Sequence, residues 1–184
     1  MANPLDRGKN GECTSVKRPN ERTQIKELRR VAAAAGGPDQ PTPLYDAMQA
    51  ALAQVIGHRL FTLMVFDPHN REAQRLYSSD PKNYPVGGRK AMSKTPWGEK
   101  VIDGKIAWIG YSAEDIRWAY PDHELIASLG LESALNLPVI YDDVFIGSAN
   151  LLHDANWYTP QDVEIGKPFA ALLAAPFRDF ARLS

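Results

Sequence analysis

Residues 129–152 read LGLESALNLPVIYDDVFIGSANLL, and their pattern decides the fold. Two runs rich in Leu, Val, Ile and Ala flank the turn-forming pair Asp142-Asp143. Glu132–Tyr141 and Val144–Leu152 are therefore predicted to be the antiparallel strands of one hairpin. Pro138 has no N–H for a ladder bond, which places it at an edge or a bulge. Gly147, inside the second run, marks a point where another backbone or side chain comes close. Just ahead, Pro121–Leu129 reads as a short helix stopped by Gly130.

The chain on either side extends this pattern. Downstream, Thr159-Pro160-Gln161-Asp162 starts a helix that is expected to reach about Arg182, kinked at Pro168 and Pro176. Upstream, Lys105–Gly110 is a short strand, whereas Tyr111–Tyr120 shows no decisive period. Thr95 caps a short helix through Asp103 with Pro96 in its first position. Asp80–Lys94, punctuated by Pro81, Pro85, Gly87 and Gly88, reads as a loop. His58–Phe66 is a strand with Leu60, Met64 and Phe66 on one face and Phe61, Leu63 and Val65 on the other, hence central. It turns at Asp67-Pro68-His69-Asn70 into a polar partner, Arg71–Ser79, which carries Leu76 and Tyr77. Two helices come first. Glu21–Ala35 is striped by Ile25, Leu28, Val31 and Ala32, and a second helix starts at Pro43 with Leu44, Ala47, Met48, Ala51, Leu52 and Val55 on one face. Both stripes fit either a core-covering role or pairing with a second copy. Hairpins in the middle and helices at the ends predict an α+β fold with an antiparallel sheet.

The 184 residues are 44% hydrophobic and 23% charged, the balance of a globular domain, with a formal net charge of -1. That charge argues against a general nucleic-acid partner. Residues 1–30 carry eight Lys+Arg against four Asp+Glu, which fits a solvated tail or a basic arm. Residues 1–21 are predicted to be a flexible tail and 22–184 a single domain. No apolar run reaches the ~18 residues of a membrane helix, and Met1–Asn20 has no apolar signal core. The expected compartment is the cytoplasm. Cys13 is the single cysteine, so no internal disulfide or Cys-based metal motif is possible.

The stretch 129–152 resembles the signature of GAF domains, in which an LG precedes a strand ending N-[VL]-P-V and a second strand begins [IV]-G-x-[LA]-N-L-L. Leu129, Gly130, Ser133, Leu135, Asn136, Pro138, Val139, Gly147, Asn150 and Leu151 carry it. Tyr84-Pro85-Val86-Gly87-Gly88 and Trp97–Val101 are similar to the connection ahead of the third strand, so the resemblance covers about residues 42–183. It implies a central antiparallel sheet, the terminal helices on one face and a ligand pocket under the connecting segment on the other. It implies no particular ligand, because this family takes cyclic nucleotides, bilins, haem, amino-acid derivatives and aromatics.

Catalysis and covalent attachment find little support. The branch of the family that reduces free methionine-R-sulfoxide uses cysteines over the pocket, where a V-C-G stretch matches Pro96-Trp97-Gly98 here. Sulfoxide reduction needs one thiol to attack and another to resolve, and residues 14–184 contain none. Bilin attachment needs a pocket cysteine as well. The dispersed motif of the cyclic-nucleotide branch is not found. His58, His69, His123 and His153 are never three or four residues apart, so no helical metal site is expected. His123 between Asp122 and Glu124 is a general base, a metal ligand or a solvated helix start.

The aromatic residues say more. Trp97, Trp108, Tyr111, Trp118 and Tyr120, with His123, crowd into the connecting segment. They are either a satellite core or a cage for a planar or cationic small molecule. Tyr77 is expected to complete the floor, with Asn136 and Asn150 offering hydrogen bonds from the sheet. The functional expectation is a small-molecule-binding sensory GAF domain acting in signal transduction, without a cofactor that the sequence names. It has no kinase, cyclase or helix-turn-helix segment, so a signal would leave through a homodimer or a partner protein. The alternatives are a dimerisation module with a collapsed aromatic pocket, or an enzyme built on His123.

Overall fold

Two hairpins lie side by side in the computed structural model, which describes residues 17–92 and 94–183. β1 (Leu60–Asp67) pairs with β2 (Glu72–Ser78), and β5 (Ser133–Tyr141) pairs with β6 (Val144–His153). β1 and β6 join the two hairpins. Short strands flank them: β3 (Arg89–Ala91) on β2 and β4 (Trp108–Gly110) on β5. The sheet runs β3-β2-β1-β6-β5-β4 and is antiparallel throughout. The architecture is α+β, as the sequence predicts.

The alternation of β1 divides the core. Phe61, Leu63 and Val65 point to the helical face, where they pack with α2 (Thr42–Val55), α6 (Pro160–Ala171) and α7 (Ala174–Leu183). Leu60 and Phe66 point to the opposite face. There the connecting segment folds over the sheet as α3 (Pro96–Gly98), a π-helical turn (Glu99–Asp103), α4 (Ala113–Ala119) and α5 (His123–Ser128). Thr95 caps α3 by accepting from the Gly98 N–H at 3.0 Å. The undecided stretch Tyr111–Tyr120 becomes helical because Ser112 and Asp115 form a reciprocal capping box. Pro138 faces an open flank, since β4 ends opposite Asn136 and leaves β5 unpaired beyond it.

Five expectations are corrected. The segment 80–94 is not all loop, because Arg89–Ala91 adds β3 to the edge of β2. The last helix is split rather than kinked: α6 ends and α7 restarts after Leu172-Leu173. Pro176 explains the site of the break, since its ring collides with the carbonyl four residues earlier, at Leu172. α1 (Glu21–Ala35) buries Glu27 and Val31 against α2 and leaves Ile25 and Ala32 facing out, so its contact face is rotated from the predicted stripe.

The fourth correction concerns the tail. Residues 1–16, including Cys13, lie outside the described residues, but Lys17–Asn20 belong to the domain. The Arg18 guanidinium is almost fully buried and grips Asp162 through one bidentate edge, Nε to Oδ1 at 2.6 Å and Nη2 to Oδ2 at 2.9 Å. It also stacks on Trp157, with 5.2 Å from the guanidinium carbon to the ring centre. Asn20 then caps α1.

The fifth is Tyr77, which does not face the connecting segment. Leu63 pairs with Tyr77 but Met64 pairs with Arg75, so Leu76 is an extra residue in β2. This β-bulge reverses the alternation beyond it. Arg75 stays on the face of Met64, whereas Tyr77 turns to the helices, rests on Tyr45 and Phe61, and reaches Asp46 and Gln49 on α2.

Candidate functional site

The sheet register sets one row of side chains across the face opposite the helices. Trp108, Asn136, Asn150 and Thr62 are successive cross-strand partners from β4 to β1. Asn136 is fully buried, and both ends of its amide are engaged. Its Oδ1 accepts from Trp97 Nε1 at 3.0 Å and from the Tyr120 hydroxyl at 2.9 Å. Because an indole N–H can only donate, the amide orientation is determined, and Nδ2 donates to Asn150 Oδ1 at 2.8 Å. Asn150 passes the chain to Thr62 at 3.4 Å. The two asparagines thus pin two aromatic residues of the connecting segment to the sheet. Burial raises the Tyr120 hydroxyl well above its usual range, keeping it neutral.

Beside this network a cavity of about 410 Å³ opens between sheet and connecting segment. Its apolar wall includes Leu60, Met64, Phe66, Ile126, Phe145 and Leu152. Its polar floor is Thr62, Ser148 and Asn150. The volume lies within the range of small-molecule sites, roughly 300–1,000 Å³.

The structure divides the predicted residues. Trp97, Trp118, Tyr120, His123 and Asn150 line the cavity. Trp108 is buried beneath them, its ring 6.0 Å from Trp118 and 6.1 Å from Tyr120. Asn136 lies in the network rather than the wall, and Tyr111 is exposed at the surface beside α4. Tyr77 lies on the other side of the sheet. Trp97 and Trp108 are therefore core-like, whereas Trp118 is 43% exposed and forms a rim.

Three charged residues of the lining escape the sequence reading, Arg75, Lys90 and Arg117, and a fourth, Asp122, is read there only as a neighbour of His123. Lys90 Nζ sits 3.0 Å from Asp122 Oδ1, and the Tyr84 hydroxyl donates to Oδ2 at 3.3 Å. Burial pushes the Asp122 carboxyl up, but Lys90 and these hydrogen bonds outweigh it and hold it below its usual range. Asp122 is thus a paired anion rather than a proton carrier. Among the described residues no hydrogen bond joins His123 to Asp122 or Glu124, and no group of three His, Cys, Asp or Glu side chains could hold a metal ion. No helix of the described residues is long and apolar enough to cross a membrane.

No protein-family model matches the chain, and no curated protein does. Solved structures do. The GAF domain of a phosphoenolpyruvate-protein phosphotransferase from Coxiella burnetii superposes with a TM-score of 0.70 at 16% identity, over 90% of this chain and 98% of that one. The GAF domain of a two-component sensor histidine kinase from Bacillus halodurans gives 0.61 at 12% identity, over 76% and 94%. The phycocyanobilin-bound GAF domain of a cyanobacterial phytochrome gives 0.63 at 18% identity, over 87% and 96%. The chain has the GAF-domain fold.

Proposed function

We propose that this chain is a non-catalytic, sensory or regulatory GAF domain that binds a small molecule between its sheet and the connecting segment. The observation that carries this reading is the cavity itself. Trp97 and Trp108 pack as core, yet the space beside them is left open, with polar groups converging on one side and apolar groups on the other. A pocket collapsed onto its own aromatic residues would leave no such space. The reading is in keeping with neighbours of the same fold whose parent proteins are a sensor kinase and a phytochrome.

For the output we propose a homodimer or a partner protein in the cytoplasm, met through the terminal helices. Ile25 and Ala32, one stripe of α1, face away from the core and are free to meet another surface. The reading is tested by thermal-shift screening against a panel of common metabolites. At least one compound should raise the wild-type midpoint and raise that of Met64→Trp much less, because the larger indole at position 64 would intrude into the cavity and obstruct it. Shifts equal in both proteins would place binding elsewhere and refute the site.

A further inference from the structure

The charges lining the cavity do not balance. Lys90 and Asp122 neutralise each other, and Tyr84 completes the carboxylate. That leaves Arg75 and Arg117 with no carboxylate within ion-pair distance among the described residues, although Asp122 attracts Arg75 from farther away. Arg117 stands at the exposed rim on α4. Arg75 is set deeper, and its backbone is fixed on both sides: its N–H donates to Gly88 at 2.9 Å and its carbonyl accepts from Gly87 at 2.8 Å.

The guanidinium itself is only part satisfied. Nη1 donates to the Pro85 carbonyl at 3.1 Å, and the Tyr84 ring lies 4.9 Å from the guanidinium carbon. Nε is buried with no acceptor among the described residues. A buried donor without a partner is costly, and a ligand acceptor that reached it would remove that cost. Burial also disfavours the charged form, so the site gains most from a ligand that brings negative charge.

We propose that the ligand of this cavity is a small organic oxyanion with an apolar or aromatic body, its carboxylate or phosphate held by Arg75 with Arg117 at the rim. The proposal rests on the reading of the cavity as a binding site. A planar guanidinium edge matches two oxygens of either group, which favours an oxyanion over halide or a neutral amide. The body of the ligand would lie against Met64, Phe66 and Phe145, within reach of Ser148 and Asn150. The same charges oppose a cationic ligand, which an aromatic cage alone would have welcomed.

The test uses matched pairs on the full chain: phenylacetate against phenylacetamide, and phenyl phosphate against phenol, followed by the fluorescence of the cavity tryptophans. In the wild type at least one anion should bind about tenfold or more tightly than its neutral partner, and the preferred pair tells carboxylate from phosphate. Arg75→Gln should lose that preference while binding the neutral compound as before. Arg75→Lys, which keeps the charge, should retain part of it and controls for folding. Neutral compounds binding as well as anions in the wild type would overturn the proposal and leave the cavity reading intact. A preference that survives in Arg75→Gln would overturn the role of Arg75. No binding of either member of either pair up to about 10 mM, together with no hit in the metabolite panel, would overturn both readings.

Discussion

Replacing Arg18 with Ala should destabilise the domain far more than its place ahead of the first helix suggests. The guanidinium makes two short bonds to Asp162 and a third to the Trp157 carbonyl at 2.8 Å, and Asp162 is completely buried. Asp162 is also the reciprocal partner of the Thr159 cap, accepting from the Thr159 N–H at 2.8 Å and hydroxyl at 3.1 Å. Removing one member of a buried pair costs about 3–5 kcal/mol because the other charge is stranded. The two Thr159 donors remain and soften that loss, which puts the expectation near 3 kcal/mol. For a domain of this size about 2–4 °C accompanies each kcal/mol, so the thermal midpoint should fall by about 6–12 °C. Circular dichroism at neutral pH measures it. A double-mutant cycle with Asp162→Asn isolates the pair: the double variant should lose much less than the sum of the singles. If Arg18→Ala melts within about 1 kcal/mol of wild type, residues 17–20 are a tail after all.

Three further outcomes follow from other parts of the molecule. Gly147 has φ +154°, and a side chain there would strike the Met64 carbonyl and lie 2.6 Å from the Phe177 ring; with strain and a backbone clash combined, Gly147→Val should cost at least about 4 kcal/mol, seen as a midpoint lowered by about 8 °C or more. Trp97→Ala should cost about 3–5 kcal/mol in ligand-free melting, whereas rim-exposed Trp118→Ala should cost less than about 1 kcal/mol while weakening ligand binding by about 1–3 kcal/mol, and equal losses of stability would make both core. Burial holds His58 below its ordinary value of 6.5 despite its bond to the Gln49 carbonyl, so the folded chain resists protonation there. The unfolded chain binds the proton more readily, and stability present above pH 6.5 should be lost as pH falls below it. The midpoint should therefore drop between about pH 7.5 and pH 5, by less in His58→Gln. An identical drop in the variant would rule His58 out.

Where one face of an element decides its contacts, the residues were readable. The two faces of β1, the hairpin at Asp142-Asp143, the Thr95 cap and the face of α2 all came from local pattern. What escaped depended on long-range registration. The bulge at Leu76 flips Tyr77, and its trace in the sequence is the adjacent pair Leu76-Tyr77, which breaks strict alternation after Arg75. Arg75, in a polar strand, and Lys90, in what reads as a loop, are not legible as site residues because cations in such segments ordinarily face water, and only the fold of the connecting segment encloses them. Arg18 finds its partner 144 residues away, a pairing that no window of sequence displays. Asn136 and Asn150 stand out in the motif, but that Asn136 pins Trp97 and Tyr120 while Asn150 floors the cavity is visible only with the register.

The central claim, that a small molecule occupies the cavity on the sheet face away from the terminal helices, is tested most directly by native mass spectrometry of the purified 184-residue chain. Wild type and Met64→Trp are compared after incubation with the compound that most raises the wild-type midpoint. The account predicts one discrete adduct on the wild type at a stoichiometry of one per chain, lost on denaturation and much less abundant on Met64→Trp. An adduct of equal abundance on both proteins, or a bare wild-type mass at a saturating concentration, would contradict it.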